Sequence, residues 1–205
     1  MLLRVAHLRV ELAKVFLRQK KYDDSAREYA ICFDIFRRTG NLEKALAMVQ
    51  EMVIPMIDLG LLVEAAEILR WSIKTGKEHN LGDGKIGPFY GQLGEVLHTA
   101  GKNEEAMIEY RKALDVARRV LGKGNCEVAQ LLNNMSSITP HFKDSQAYAR
   151  EALEIALPKC PDIVGYSHYL LGRSLVCPPP LTSFFFGPWR FTNYLFFPPG
   201  ENVTG

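Results

Sequence analysis

The sequence has few of the features that mark an enzyme or a metal-binding protein. It contains no G-x-S-x-G motif, no H-x-x-x-H pair and no C-x-x-C pair. The segment G-D-G-K-I-G at 82–87 lacks the spacing of a phosphate-binding loop, and Ile86 stands where a hydroxyl would be needed. We therefore predict no catalytic residue, no metal ligand, no cofactor and no small-molecule substrate. We interpret 82–87 as a flexible loop between two units. The histidines stand singly, at His7, His79, His98, His141 and His168.

Charge and hydropathy argue against two further classes of protein. The 25 basic and 23 acidic residues give a net charge of +2, which does not indicate a nucleic-acid partner. No run of about 20 apolar residues is free of charge and proline, so no membrane span is expected. The cysteines are scattered, which is typical of reduced, mostly buried thiols in an intracellular protein. We therefore expect a cytoplasmic protein.

A short phrase recurs along the chain. It reads G-L-L-V-E-A-A at 60–66 and G-K-N-E-E-A-M at 101–107, with looser copies at 21–26 and 40–45. Each copy joins a turn signal, an acidic helix start, a small residue and an apolar stripe. Short turns between helices of this kind indicate an all-α solenoid rather than an ordinary bundle. Apolar spacing of three and four residues predicts nine helices, at about 5–18, 23–38, 42–58, 62–78, 88–99, 103–121, 126–138, 144–157 and 162–176.

The units share a register in which Leu12, Met52 and Leu93 are equivalent. Small residues would let the two helices of one unit approach closely. They lie on one face of the second helices, at Ser25, Ala65, Ala106, Cys32, Ser72 and Ala113. Large residues of the first helices would fill the space between units. They include Leu12, Phe16, Leu93 and Leu97.

The third unit carries Leu93, Gly94, Gly101, Ala106, Tyr110 and Ala113. This combination resembles the tetratricopeptide repeat. The resemblance covers about 5–176, as four units and the first helix of a fifth, and it implies a right-handed superhelix. The segment 113–135 is similar to the kinesin light chain type, which has longer units and paired asparagines. We accordingly divide the chain into a repeat array at 1–176 and a tail at 177–205.

In arrays of this family the first helix of each unit lines a concave groove. The resemblance therefore implies a non-catalytic adaptor or scaffold that binds a partner peptide or helix there, in a cytoskeletal, motor-cargo or ciliary assembly. It implies this role for Asn133 and Asn134, and amides suit extended peptides because each offers a donor and an acceptor. The predicted groove residues are Lys14, Arg18, Gln50, Gln92, Glu95, Asn133, Asn134 and Arg173, together with His7 and His98.

Other interpretations stay open at this point. The protein could be a regulatory subunit that clamps an enzyme or transcription factor through its convex face, and the polar groove residues would then be solvated helix faces. A nucleic-acid solenoid would need basic first helices, which only Lys14, Arg18 and Arg173 supply. Recognition of a C-terminal carboxylate, as in chaperone-binding arrays, is disfavoured because Glu51 would repel it.

Two places depart from the repeat pattern. Pro55 lies inside a predicted first helix, where it removes a backbone hydrogen bond and should kink the helix. The segment 139–141, Thr-Pro-His, replaces the usual turn of the fourth unit, so we expect a local change in the superhelix there.

The tail at 177–205 has a different composition from the repeats. It holds six of the eleven prolines, eight aromatic residues, and only Arg190 and Glu201 as charged residues. Three interpretations compete for it: an incidental end that did not evolve with the repeats, a cap over the helix at 162–176, and an aromatic anchor for a membrane or partner. We favour the first and expect the tail to be poorly ordered.

Overall fold

The computed structural model describes residues 2–176, and the regular structure in this range is entirely α-helical. The helices are α1 Leu2–Arg18, α2 Tyr22–Arg38, α3 Leu42–Asp58, α4 Leu62–Glu78, α5 Asp83–Thr99, α6 Asn103–Val120, α7 Cys126–Ile138, α8 Phe142–Ala156 and α9 Pro161–Val176. Consecutive helices pack against each other along the array. They form four pairs, α1/α2 to α7/α8, and α9 stands as the first helix of a fifth. The predicted tail lies outside the described residues.

The first six helices end in the same way. Two residues after each helix the chain takes a left-handed conformation, at Lys20, Gly40, Gly60, Asn80, Gly101 and Gly122. In the first five of these turns the next N–H reaches back across the turn, as Lys102 N donates to Leu97 O over 2.9 Å. Glycine suits this conformation because it has no Cβ to clash, and asparagine suits it because its short polar side chain can hydrogen-bond locally. The left-handed positions recur at an almost constant interval along the sequence. Two such intervals make one unit, which explains the register that the units share.

The turn between α7 and α8 is different, as the sequence predicted. Pro140 occupies the place of the left-handed residue, and its ring fixes φ at a negative value. The residue before a proline is pushed to extended backbone, and Thr139 has φ −74° and ψ 120°. The chain therefore enters α8 without the left-handed residue used by the preceding turns.

The small residues of the second helices are buried, which confirms their predicted role. All six lie between 0 and 3% exposed, so the backbones can approach. In the first unit the close approach permits two hydrogen bonds to carbonyls of α1. Ser25 Oγ donates to Ala13 O over 3.0 Å, and the Cys32 thiol donates to Ala6 O over 3.4 Å.

The interpretation of 82–87 as a flexible loop is wrong, because α5 begins at Asp83. Its glycines serve close packing instead of flexibility. A Cβ on Gly87 would lie 2.7 Å from a methyl carbon of Val116 in α6. Ile86 is buried, and a Cβ on Gly76 would lie 3.2 Å from its side chain. Proline suits the first turn of a helix, and the sequence predicted a helix that begins at Pro88. The structure places Pro88 inside α5 instead, at the cost of one backbone hydrogen bond.

Large first-helix residues were predicted to fill the space between units. This prediction is correct for Leu93 and Leu97 of the third unit and wrong for Leu12 of the first. Leu93 and Leu97 are each 3% exposed, whereas Leu12 is 41% exposed. The difference has a geometric cause: α5 packs on the preceding α4, while no helix within residues 2–176 precedes α1. Helix α3 continues through Pro55 to Asp58, with Pro55 buried.

The expectation of reduced cysteines is wrong for one pair. Cys126 and Cys160 form a disulfide with their Cα atoms 5.8 Å apart. They lie 34 residues apart in sequence, but α7 and α8 form an antiparallel hairpin that brings its two ends together. Cys32 is a free, buried thiol, and burial raises its pKa to about 11. Cys177 lies outside the described residues.

Candidate first-helix groove

The helices α1, α3, α5, α7 and α9 form one face of the array, which we call the first-helix face. Polar side chains connect neighbouring helices of this face. His7 of α1 lies 3.3 Å from Lys44 Nζ of α3, and Lys85 of α5 forms an ion pair with Glu43 of α3. These contacts join residues about one unit apart, and so connect consecutive first helices at the surface.

Gln92 is the clearest polar group between α3 and α5. Its Nε2 donates to the backbone oxygen of Gln50 over 2.9 Å. Its Oε1 is buried and has no hydrogen-bond partner among the described residues. A cavity of about 290 Å³ lies beside this bond, with Gln50, Pro88 and Phe89 in its wall. The two predicted glutamines therefore meet, and Gln92 retains an unused acceptor.

The paired asparagines of α7 have different environments. Asn133 is only 1% exposed, and its Nδ2 donates to Ser167 Oγ of α9 over 2.9 Å. It therefore connects α7 to α9 and does not present its amide to solvent. Asn134 is half-buried, one residue further round the helix. Arg173 is exposed, and its guanidinium donates to Ser137 O over 3.1 Å.

The remaining predicted residues are spread along the face. Lys14 pairs with Glu11 of its own helix at 2.9 Å, and Arg18 is exposed at the end of α1. Glu95 is half-buried in α5, and His98 Nδ1 lies 2.9 Å from Asn103 Oδ1. The predicted set thus does not form one compact cluster; it follows the first helices from α1 to α9.

Sequence reasoning missed the aromatic residues at the C-terminal end of this face. Tyr166 and Tyr169 of α9 stack with their ring centroids 6.1 Å apart. Burial raises the pKa of Tyr166, while Arg173 and a hydrogen bond with Ser137 oppose the shift. Burial, together with the Glu95 carboxylate, also raises the pKa of Tyr110. The three-residue spacing of Tyr166 and Tyr169 was the available signal.

A second groove lies on the opposite side, between the second helices α4 and α6. It has a volume of about 700 Å³, and Ile73, Tyr90 and Leu93 line its base. Lys77 and Lys112 place their ammonium groups 5.6 and 5.7 Å from the centre of the Tyr90 ring. Arg70, Lys74 and Glu109 also line it, and Glu109 pairs with Lys112, so its walls carry four basic side chains and one acidic one. Nothing in the sequence pattern pointed to this groove.

Comparisons with known proteins agree with this architecture. Residues 87–119 match the family model of the tetratricopeptide repeat. The helix pair α5/α6 is therefore similar to one tetratricopeptide repeat. The match coincides with α5 and α6, where the motif residues lie. Repeats of this family are typically non-catalytic modules, and they support a general role in protein–protein interaction. The sequence matches no curated protein.

Several solved structures share the fold of this array. The apo form of RapI superposes with a TM-score of 0.70 at 16% identity, over 80% of this chain and 60% of RapI. Kinesin light chain TPR-like repeats from Podosopora anserina give 0.68 at 13% identity, over 82% of this chain and 84% of theirs. BtubC from P. vanneervenii gives 0.53 at 16% identity, over 89% and 95%. The chain therefore spans three-fifths of RapI, and these likenesses establish the right-handed all-α superhelix.

The described part of the array provides neither a metal-binding cluster nor a membrane-spanning helix. No group of three or more histidine, cysteine or acidic side chains able to hold a metal occurs among residues 2–176. None of the helices in that range has the length and hydrophobicity needed to cross a bilayer.

Proposed function

We propose that this protein is a non-catalytic adaptor that binds an extended or helical segment of a partner protein along its first-helix face. The observation that carries the proposal is Gln92. Its amide spans α3 and α5, and its buried oxygen lacks a partner among the described residues. Buried acceptors are costly unless they are paired, and a partner's backbone N–H is a suitable donor.

Other residues extend this proposed site in both directions. Asn134 and Glu95 are half-buried polar groups on the adjoining first helices. Arg173 and the stacked pair Tyr166 and Tyr169 would provide a charged and an aromatic contact at the α9 end. We assign Asn133 a positioning role through Ser167 instead of direct contact, because its side chain is buried. A cytoplasmic, cytoskeletal or ciliary setting is part of this proposal, and the likeness to kinesin light chain repeats supports it.

The basic groove supports a second candidate function, docking of a partner through the second-helix face. A hydrogen bond with Tyr90 raises the pKa of Lys77. An acidic surface on a larger folded protein would complement this groove. This arrangement corresponds to a regulatory subunit that clamps its target from the convex side.

One experiment separates the two candidates. Peptides are selected by proteomic peptide display on the full chain, and their affinities are measured by fluorescence anisotropy. Gln92→Met retains side-chain length and removes hydrogen bonding, so we expect binding about tenfold weaker, the equivalent of one buried hydrogen bond. The Lys77→Glu, Lys112→Glu double variant should bind these peptides as the wild type does.

The control is thermal unfolding of both variants, which must retain their helicity. Selected peptides whose affinity is unchanged by Gln92→Met but is lost in the lysine double variant would assign the site to the second-helix face. Peptides that bind all three proteins equally would contradict both candidate sites.

A further inference from the structure

Helix α1 carries a continuous apolar stripe that faces solvent. Val5, Leu8, Leu12 and Val15 are 38, 73, 41 and 41% exposed. Their spacing of three, four and three residues places them in one line along the helix, as in the seam of a coiled coil. The opposite face of α1 is the one that packs on α2, through Ala6 and Ala13. One helix thus has a packed face and an open one.

The same four positions are buried in the next two first helices. In the register that aligns the units, their equivalents are Ala45, Met48, Met52 and Pro55 of α3, and Ile86, Phe89, Leu93 and Val96 of α5. All eight are buried. Helix α3 packs on α2 and α5 packs on α4, whereas no helix within residues 2–176 occupies the equivalent place beside α1. The open stripe is therefore one half of the interface that joins the units of this array.

The interfaces between the other units indicate which kind of helix would cover the stripe. Each second helix lies antiparallel to the first helix that follows it, so its N-terminus lies near the C-terminus of that helix. The first turns of α2, α4 and α6 are acidic, with Asp23 and Asp24 as the example in α2. An occupant of the same kind would bring acidic residues towards Arg18 of α1.

Charge distinguishes a partner helix from a second copy of α1. The stripe is bordered by Arg4, Arg9 and Arg18, with Glu11 as the one acid of the helix, and Arg9 forms an ion pair with Glu28 of α2. Antiparallel pairing of two α1 helices would match Val5 with Val15 and Leu8 with Leu12. It would also place Arg4 of one copy beside Arg18 of the other, which is repulsive. A helix with acidic flanks avoids that repulsion.

We propose that the α1 stripe is a docking site for an amphipathic helix with acidic residues beside its apolar seam, which takes the place that a second helix takes against α3 and α5. The stripe recognises apolar side chains at helical spacing, and Arg4 and Arg18 at its two ends favour acidic flanks on the incoming helix. This surface is separate from the Gln92 site, so the two proposals can fail independently.

The test uses the full chain and a fluorescent synthetic peptide with the sequence of α2, residues 22–38, in which Cys32→Ser removes the thiol. Fluorescence anisotropy should show saturable binding. The Leu8→Glu, Leu12→Glu double variant should weaken binding at least about tenfold. Ile108→Glu, at an exposed apolar position on α6, is the matched control and should leave binding unchanged. A peptide with Asp23→Lys and Asp24→Lys should bind several-fold more weakly, with the largest difference at low salt.

Two outcomes would overturn the proposal. The first is an α2 peptide that does not bind the wild type, or that binds the double variant equally well. The second is a concentration-dependent dimer in sedimentation equilibrium that Leu8→Glu, Leu12→Glu abolishes, because a second copy would then occupy the stripe. Circular dichroism of each variant establishes that its helices are intact before either result is interpreted.

Discussion

At the scale of single residues, glycine sets how closely the two helices of the third unit approach. Gly94 of α5 lies directly against Tyr110 of α6, and a Cβ at this position would lie 2.6 Å from the ring. Tyr110 is itself 1% exposed and enclosed by the core. Since neither helix can move without disturbing its other neighbour, the ring cannot easily make room.

We expect Gly94→Ala to destabilise the protein by about 1–3 kcal/mol through overpacking. Gly165→Ala is the matched control, because Gly165 lies within α9 and a Cβ added there would have no heavy atom within 4 Å. Alanine is the better helix former, so this control should gain roughly 0.5–1 kcal/mol. Urea unfolding followed by circular dichroism measures both. A stabilising Gly94→Ala would refute the role of this contact.

The two asparagines of α7 mark the limit of prediction for individual residues. The sequence correctly indicated a polar pair on a first helix, but it gave both residues one role. Neighbouring residues on a helix point about 100° apart, so Asn133 is buried and bonds to Ser167 of α9 while Asn134 is half-buried. Which of the two is buried depends on how α9 packs, and that is a tertiary property.

At the scale of helices, most boundaries could be predicted because the turns are local. The left-handed residues at 20, 40, 60, 80 and 101 stop each helix, and the sequence shows them as glycine or asparagine in four of the five places. The start of α5 could not be predicted in this way. Its glycines resemble a loop, and only their contact with Val116 and Val120 of α6 reveals a packed helix.

The disulfide between Cys126 and Cys160 provides a prediction at the same scale. It joins the beginning of α7 to the residue before α9, and closes a span of 34 residues. The Cys126→Ser, Cys160→Ser double variant should lose about 2–4 kcal/mol of stability. A reducing agent should lower the stability of the wild type similarly and leave the variant unchanged. Hydrogen exchange should show the loss in α7 to α9 first.

Alkylation and mass spectrometry supply the control for that experiment. Without reductant, Cys126 and Cys160 should resist alkylation in the unfolded wild-type protein, while Cys32 should react once unfolding exposes it. If both paired residues are alkylated under non-reducing conditions, the disulfide is absent and the predicted loss of stability has no basis.

At the scale of the whole molecule, the array is a line of helices in which each contacts chiefly its neighbours. Stability in such a line is approximately the sum of the helix pairs and the interfaces between them. The contributions are unequal here. Helix α1 has two buried residues, Ala6 and Ala13, whereas α5 has an extended buried set. Two of that set, Phe89 and Leu93, have exposed counterparts in α1 at Leu8 and Leu12.

Native-state hydrogen exchange should therefore show a gradient along the chain. We expect the amides of α1 to exchange fastest and those of α5 and α6 slowest, because α1 packs on one side only. Leu8→Glu should leave this order unchanged, since the side chain is already exposed. Gly94→Ala should accelerate exchange in α5 and α6 first. If every helix exchanges at one common rate, the array unfolds as a single cooperative unit. The predicted difference in local stability between α1 and the α5/α6 pair is then absent.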